Sequence, residues 1–172
     1  MRKQKGFSLI ELLIVVAIIL IIAAIAIPNL LRSRIAANEA SAGGSLRTIN
    51  TAEVAYSSTY PSIGFAADLK TLGPGATAGL TSSSANAELL DNVLGATSPG
   101  GAASGTANPK SGYLFYVTAT AGSAGAPTST YASNGNPITV DQTGKRYFYS
   151  DASGVIRYNT TVTSTSADAA LQ

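Results

Sequence analysis

The sequence predicts an α+β protein in which one long N-terminal α-helix, about residues 7–58, is followed by an antiparallel sheet of three or four strands. Residues 7–27 form an apolar run long enough for a helix to cross a bilayer. Residues 42–56 place apolar side chains at helical spacing, and the chain beyond residue 112 is rich in aromatic and β-branched residues. These three patterns indicate one continuous helix and then strands.

The apolar run extends from Phe7 to Ile27 and contains one charged residue, Glu11. At ~1.5 Å per residue, a helix of this length spans roughly 30 Å, the thickness of a bilayer core. The basic residues of the first segment all precede the run: Arg2, Lys3 and Lys5. Because such residues stay cytoplasmic, we expect the N-terminus inside and the C-terminal part outside.

Glu11 separates three interpretations of this run. A cleaved secretory signal, with Ala24-Ile25-Ala26 as its cleavage site, is expected to have a shorter apolar core of about 7–15 residues. A plain membrane anchor gains nothing from a carboxylate, which costs roughly 2.5–3.5 kcal/mol at the bilayer centre. Cleavage between Gly6 and Phe7 would create an amino terminus four residues before Glu11. That cation could pair with Glu11 within one helix or between neighbouring subunits. The third interpretation, cleavage after Gly6 to give a subunit that assembles, is therefore favoured.

The segment KGFSLIELLIVVAIILIIAAIAIPNL closely resembles the N-terminus of type IV prepilins. The similarity covers the basic leader, Gly6, Phe7, Glu11, the apolar run and Pro28, at the spacing of that family. It implies that a prepilin peptidase of the inner membrane cleaves between Gly6 and Phe7 and methylates the nitrogen of Phe7. It also implies that Glu11 is the assembly glutamate and that Pro28 is the helix-kinking proline.

The resemblance implies the lollipop architecture of type IV pilins, in which the long helix, kinked near Pro28, packs on a sheet head. In filaments of this family, the stretch before the proline loses helical hydrogen bonding, which corresponds here to Ile22–Ile27. The expected divisions of the chain are a removed leader (1–6), a membrane and filament-core half-helix (7–27), the second half-helix (28–60), a connecting loop region (61–110), and the sheet with a polar C-terminal tail (111–172).

Helical signals continue beyond Pro28, which is expected to bend or locally open the helix near residues 24–28; the alternative is that it ends the helix there. Arg32, Arg34 and Glu39 are expected to form a polar collar outside the membrane. Apolar residues then recur on one predicted buried face: Ala42, Leu46, Ile49, Ala52 and Tyr56. The helix is predicted to end near Ser57–Tyr60, before Pro61.

The predicted elements of the head are short. Residues 68–72 and 85–94 are expected to form short helical segments within an otherwise irregular connection. The predicted strands are GYLFYVTAT, the weaker PITVD, KRYFYS and VIRYN, with turns at residues 142–144 and 151–154. The hydroxyl-rich tail TTVTSTSAD is expected to be a flexible polar terminus.

Composition argues against catalysis. The chain has no His and no Cys, which removes the commonest zinc and copper ligands and the commonest nucleophile–base pairs. Its acids are scattered, so no cofactor or metal is expected, although Asp141 and Asp151 leave calcium as a weaker alternative. The formal charge of +2 includes the three basic residues before Gly6. Without them no basic patch remains, so nucleic-acid binding is not expected. Asn159 begins an N-glycosylation sequon, Asn159-Thr160-Thr161, and is the predicted glycosylation residue.

The expected function is therefore structural: a major pilin in a type IV pilus or closely related extracellular filament. The resemblance implies a homo-oligomeric helical filament, with the prepilin peptidase, an inner-membrane assembly platform and an outer-membrane secretin as partners. It also implies a single-pass inner-membrane precursor that later reaches the cell surface, with roles in adhesion, motility or DNA uptake. Two alternatives stay open: a type II secretion pseudopilin, and a minor pilin that acts as an adhesin or receptor.

Overall fold

The computed structural model describes residues 6–74, 82–95, 108–120 and 126–171. Its first element, α1, is an α-helix at Leu9–Thr59 that contains Pro28. The helix is continuous through this proline, so the alternative in which Pro28 ends it is wrong, while a bend and the loss of hydrogen bonding in filaments stay predictions. The predicted C-terminal end near residues 57–60 is confirmed. The helix begins two residues later than predicted because Ser8 caps it.

The chain divides into two compact units, Met1–Arg34 and Ile35–Gln172. In the first unit, the described side chains of the apolar run are almost all exposed. The basic residues predicted to form a leader, Arg2, Lys3 and Lys5, lie outside the described residues. The second unit contains the hydrophobic core, which is built from the later turns of α1, the connecting segment and the sheet.

The second unit contains a six-stranded antiparallel sheet whose strands are neighbours in chain order. The α+β prediction is confirmed, but the predicted number of strands is wrong. Three or four strands were expected, and the described part of the chain has six. The strands are β1 (Asn108–Lys110), β2 (Tyr113–Thr120), β3 (Thr130–Pro137), β4 (Tyr147–Asp151), β5 (Arg157–Asn159) and β6 (Ala169–Ala170).

The buried face predicted for the helix is confirmed. Ala42, Leu46, Ile49, Ala52 and Tyr56 are all at most 4% exposed. The core residues that the sheet contributes are mainly aromatic and β-branched: Tyr113, Phe115, Val117, Tyr131 and Phe148. The sequence pattern identified this face because the core-facing positions recur every three or four residues.

The predicted strand PITVD is wrong for most of its length, and the strand that precedes it was not predicted. Strand β3 ends at Pro137 and runs through TYASNGNP, a sequence poor in strand-forming residues. Gly135 shows one reason for this composition. A Cβ atom at Gly135 would lie 3.0 Å from the ring of Phe115 on β2, so the aromatic ring occupies the space that a side chain would need.

The helix predicted at residues 85–94 is also wrong, whereas the one predicted at 68–72 is confirmed as α2 (Leu69–Leu72), capped by Asp68. Residues 82–95 form turns and irregular backbone. The amides of Ala87 and Leu89 donate to the carbonyls of Thr71 and Leu72 at 2.9 and 2.8 Å. The segment therefore bonds to the end of α2 instead of forming helical hydrogen bonds of its own.

The C-terminal tail is more ordered than predicted. Its last described residues include β6, and the Leu171 amide donates to the carbonyl of Ile156 at 2.7 Å. The carboxylate of Asp168 accepts hydrogen bonds from the Thr165 amide and from the side chains of Asn159 and Ser164. These bonds, led by the Thr165 amide, lower the pKa of Asp168. Residues 159–168 thus form a hydrogen-bonded loop rather than a free terminus.

Candidate processing and assembly site

The candidate site lies at the start of α1 and is built from residues 6–11. Gly6, Phe7 and Ser8 are not helical, and the helix begins at Leu9. The Ser8 carbonyl accepts hydrogen bonds from the amides of Glu11 and Leu12 at 3.1 and 3.3 Å. In return, the Ser8 amide donates to Oε2 of Glu11 at 2.8 Å. This reciprocal arrangement is half of a capping box, in which an acidic residue at the third helical position reaches back to the cap residue.

The capping arrangement separates the bond that is predicted to be cleaved from the helix that follows it. The peptide bond between Gly6 and Phe7 joins two non-helical residues. The Phe7 side chain is 76% exposed. A Cβ atom at Gly6 would meet nothing within 4 Å. None of the residues that the structure describes thus covers the chain around the predicted cleavage bond.

Glu11 therefore has a role within its own subunit that sequence reasoning missed. The pattern Ser8-Leu9-Ile10-Glu11 is a capping-box signature and could have predicted the hydrogen bond. A carboxylate can accept about four hydrogen bonds. Among the described residues, the Ser8 amide is the one hydrogen-bond donor to the Glu11 side chain, which leaves the carboxylate able to pair with a cation. The local role and the predicted assembly role are therefore compatible.

The apolar surface around this site is exposed along its whole length. Leu12 and Leu13 are 58% and 60% exposed, and Ile18 and Ile25 are 52% and 64% exposed. Within α1, the most apolar stretch is long and hydrophobic enough to cross a membrane, and none of it is buried by the rest of the protein. Such a surface is stable only against lipid or against other apolar chains.

Glu39, which was predicted to lie in a polar collar with Arg32 and Arg34, binds the head instead, and the collar outside the membrane stays a prediction for the two arginines. Arg32 and Arg34 are exposed, whereas the Glu39 side chain is 13% exposed and lies 3.2 Å from Nε of Arg146. Its other carboxylate oxygen accepts hydrogen bonds from the amides of Lys145 and Arg146 at 2.9 and 3.3 Å. Glu39 therefore joins α1 to the segment that leads into β4.

The two aspartates considered for calcium both have other contacts. Asp141 lies 3.4 Å from the ammonium of Lys145, and Asp151 accepts hydrogen bonds from the amide and hydroxyl of Ser153 in the predicted turn. Burial alone would raise the pKa of Asp151, but these hydrogen bonds lower it overall. Among the described residues, no group of three metal-ligating side chains is present.

Asn159, the predicted glycosylation residue, lies in β5. Its side-chain nitrogen donates to Oδ1 of Asp168 at 2.9 Å, and its side-chain oxygen accepts from the Thr161 amide at 2.9 Å. Both ends of the amide are therefore engaged in the folded protein. Glycosylation at Asn159 stays a prediction, and a transferase would have to break these bonds or act before the tail folds.

A second acid that the sequence analysis did not single out is Glu53, which is 0% exposed in the core. It lies four residues after Ile49 and three before Tyr56, on the buried face of α1. The same spacing that identified the apolar positions could have identified it. A carboxyl group there is unusual because charged residues are seldom fully buried without a partner.

Comparison with known proteins supports the resemblance seen at the N-terminus. Residues 1–27 match the model of the prokaryotic N-terminal methylation motif. The chain is 67% identical over 39 residues to the type IV wide pilus major component PilA4 of Thermus thermophilus, covering 23% of this chain and 30% of that protein. It is 44% identical over 54 residues to the type IV major pilin protein PilA of Myxococcus xanthus, covering 31% of this chain and 24% of that protein.

The aligned segments thus span less than a third of either relative. No solved structure matches the chain. The resemblance of the N-terminal region to type IV prepilins is confirmed by these matches, which are to proteins named as pilus subunits.

Proposed function

We propose that this protein is the major structural subunit of a type IV pilus. The observation that carries the proposal is Glu11, a single carboxylate four residues after the Gly6–Phe7 bond, in a helix whose apolar surface is otherwise continuous and exposed. The methylation-motif match over residues 1–27 and the two relatives named as major pilus components support the same role.

The first step is processing. A prepilin peptidase cleaves between Gly6 and Phe7 and methylates the new amino terminus. The capping box supports this step because it starts the helix at Leu9 and leaves the scissile bond in non-helical chain. In this step the protein is the substrate of an enzyme, and it has no catalytic role or cofactor of its own.

The second step is storage in the inner membrane as a single-pass protein, with the N-terminus inside and the head outside. The exposed apolar side chains of residues 7–27 face lipid in this state. Glu11 lies near one end of the span, where a carboxylate costs less than at the bilayer centre. Its hydrogen bond from the Ser8 amide lowers the cost further by giving the carboxylate a partner.

The third step is assembly. An inner-membrane platform moves the subunit sideways out of the lipid into a growing helical bundle, which passes through an outer-membrane secretin. Because lipid is as apolar as the helices, transfer of the apolar face alone supplies little driving force. Side-chain packing and the pairing of Glu11 with the Phe7 amine of a neighbouring subunit must favour the bundle. A subunit at the wrong axial offset leaves that carboxylate without its cation.

The experiment that tests this proposal is mass spectrometry of the N-terminal peptide from sheared extracellular material. We expect an abundant peptide that begins with N-methylated Phe7. The same peptide confined to the membrane fraction would indicate a secretion pseudopilin instead. A peptide that begins at Met1 or near Ile27 would contradict processing at Gly6, and low abundance beside another pilin would indicate a minor subunit.

A further inference from the structure

Glu53 presents a problem that assembly does not explain. The residue is 0% exposed on α1. Its Oε2 accepts a hydrogen bond from the amide of Ala66 at 2.9 Å. Its Oε1 has no hydrogen-bond partner among the described residues. An ionised carboxylate in such a place is strongly disfavoured, because burial removes its hydration and a single amide replaces only part of it.

The groups that act electrostatically on Glu53, or that Glu53 acts on, are acids and phenols. They are Asp68 in the segment after α1, Tyr56 on α1 and Tyr131 on β3. The charged or titratable groups next beyond them, which affect those tyrosines, are Tyr60 and Asp151. No cation from the described residues is among these groups, so nothing here compensates a negative charge on Glu53.

The balance of these effects favours a neutral Glu53. The pKa of Glu53 is raised from 4.5 to about 8, and burial is the largest cause. The hydrogen bond from the Ala66 amide lowers the pKa, and the charge of Asp68 raises it further. At neutral pH and below, the carboxyl group is therefore mostly protonated in the folded protein. In mildly alkaline solution it has to ionise inside the core.

The Ala66 hydrogen bond lies at the end of a segment that is tied down on both sides. Ala66 is itself 0% exposed. The Phe65 amide donates to the Thr128 carbonyl at 3.1 Å, and the Thr128 amide donates to the Ile63 carbonyl at 2.7 Å. Residues 63–66 are thus held between α1, through Glu53, and the chain that leads into β3.

We propose that Glu53 is a protonation-controlled latch: while the carboxyl is neutral, residues 63–66 stay packed over it on α1, and its ionisation releases this segment, because the hydration that a buried carboxylate lacks outweighs the stronger hydrogen bond that it would accept from the Ala66 amide. Ionisation draws water toward the carboxylate, and water reaches it most easily if the connecting segment moves away. The strands have their own ladder of hydrogen bonds and stay in place. The inference is independent of the proposed function, because it uses only contacts inside the second unit.

The direction of the pH effect follows from proton linkage. The folded protein holds the Glu53 proton more tightly than the unfolded chain does, so the stabilisation is fully present below about pH 4.5 and declines as the pH rises toward 8. Each pH unit in that interval changes the equilibrium constant for exposing Glu53 to solvent by up to tenfold. Opening of the latch should become up to roughly three thousandfold more favourable across the whole interval.

The test is amide hydrogen exchange of the full chain in detergent micelles, from about pH 5 to about pH 9, corrected for intrinsic exchange rates. In the wild-type protein, peptides that contain residues 63–66 should lose at least about tenfold in protection above neutral pH, while peptides from β2 and β4 keep theirs. In Glu53→Gln, which preserves the shape without the titration, protection of residues 63–66 should not depend on pH. Glu88→Gln removes an exposed carboxylate and should behave like the wild type.

Two results would overturn the proposal. Constant protection of residues 63–66 across the pH range in the wild type would show that Glu53 does not control the segment. Equal loss in the strands would show that the head opens as a whole and that no local latch exists. If Glu53→Gln fails to fold, carbon-13 NMR titration of the wild-type side chain decides the question, since an ordinary titration near pH 4.5 would contradict the latch.

Discussion

Glu11 caps the start of α1 and is proposed to direct assembly, and a pair of substitutions can separate these two roles. As a capping residue it needs only an acceptor for the Ser8 amide. As the assembly residue it needs a negative charge. Glutamine keeps a side-chain acceptor of the same length, and Glu or Gln serves equally at this position of a capping box. Glu11→Gln therefore removes the charge and keeps the cap, whereas Glu11→Ala removes both.

The two roles differ in expected magnitude. Loss of one hydrogen bond to the Ser8 amide costs about 0.5–1.5 kcal/mol, which is about a tenfold effect at most. Loss of the charge leaves the Phe7 amine of the neighbouring subunit buried without its partner, at a cost of about 3–5 kcal/mol. That corresponds to weaker addition of each subunit by a factor between roughly 10² and several 10³. If the charge pair drives assembly, Glu11→Gln should be nearly as defective as Glu11→Ala.

The assay is the fraction of subunit found in sheared extracellular filaments relative to the membrane, measured by quantitative immunoblot. Mass spectrometry of the N-terminal peptide confirms that each variant is still cleaved after Gly6. Ser8→Ala is the matched control, because it removes the cap hydroxyl but keeps the backbone amide and the charge of Glu11. We expect abundant filaments from this control.

The reasoning would be refuted by near-normal filament yield from Glu11→Gln together with poor yield from Glu11→Ala. That outcome would assign the defect to the frayed start of α1 and would leave the charge pair without a role. Abundant filaments from both variants would contradict the whole mechanism.

Two further predictions concern the head, and chemical unfolding of the full chain in detergent measures both. Glu39→Ala should lower the free energy of unfolding by about 2–3 kcal/mol, because two hydrogen bonds and a half-buried ion pair to its carboxylate are lost; Lys145→Ala, which removes only an exposed ion pair, should stay within about 0.5 kcal/mol of the wild type, and equal effects would contradict the role of Glu39. Gly64 and Gly154 both have a positive φ, of 83° and 72°, but a Cβ atom at Gly64 would lie 2.1 Å from the carbonyl oxygen of Thr128, whereas at Gly154 it would meet nothing. Gly154→Ala should therefore lower the free energy of unfolding by about 1–2 kcal/mol through its backbone conformation alone. Gly64→Ala should lower it by more, because the added Cβ atom also collides with Thr128. Equal stability of the two variants would show that the segment around Thr128 can move aside.

Much of the helix and half of the sheet could be predicted because their residue types and spacing match the burial and secondary structure of the positions that they occupy. The buried face of α1 recurs at helical spacing, and β2 and β4 are rich in tyrosine and phenylalanine, which favour strands. The turn at residues 151–154 was predictable for the same reason, since Asp151 and Gly154 supply the side-chain bond and the positive φ that such a turn uses.

Strand β3 could not be predicted because its residues suit contacts with neighbouring segments and have low strand propensity of their own. The Asn134 side chain donates to the carbonyl of Ser164 at 3.3 Å, and that of Asn136 donates to the Tyr116 hydroxyl at 2.8 Å. Gly135 leaves room for Phe115. Each residue is a poor strand former taken alone. Pairing with strands on both sides outweighs these local preferences, and that pairing is not visible in a short stretch of sequence.

The residues of the candidate site could be proposed from the sequence, but their geometry could not. Gly6, Phe7 and Glu11 were proposed from the resemblance to type IV prepilins, whereas the bond between Glu11 and the Ser8 amide depends on where the helix begins. A capping-box pattern indicates such a start, but the pattern lies inside a continuous apolar segment. There the hydrophobic signal dominates, and the predicted helix start is two residues too early.

Glu11 and Glu53 pose the same physical problem, since each places a carboxyl group among apolar side chains of one helix. Their surroundings lead to different solutions. Glu53 is enclosed by its own subunit, with acids and phenols around it, so a proton is the only positive charge that can reach it without opening the core. Glu11 is exposed on a surface that the described residues of its own subunit leave uncovered, so a cation from a neighbouring chain can reach it. The first acid is therefore proposed to respond to pH within a single subunit and the second to respond to the presence of another subunit, and of the two only the second is placed to direct assembly.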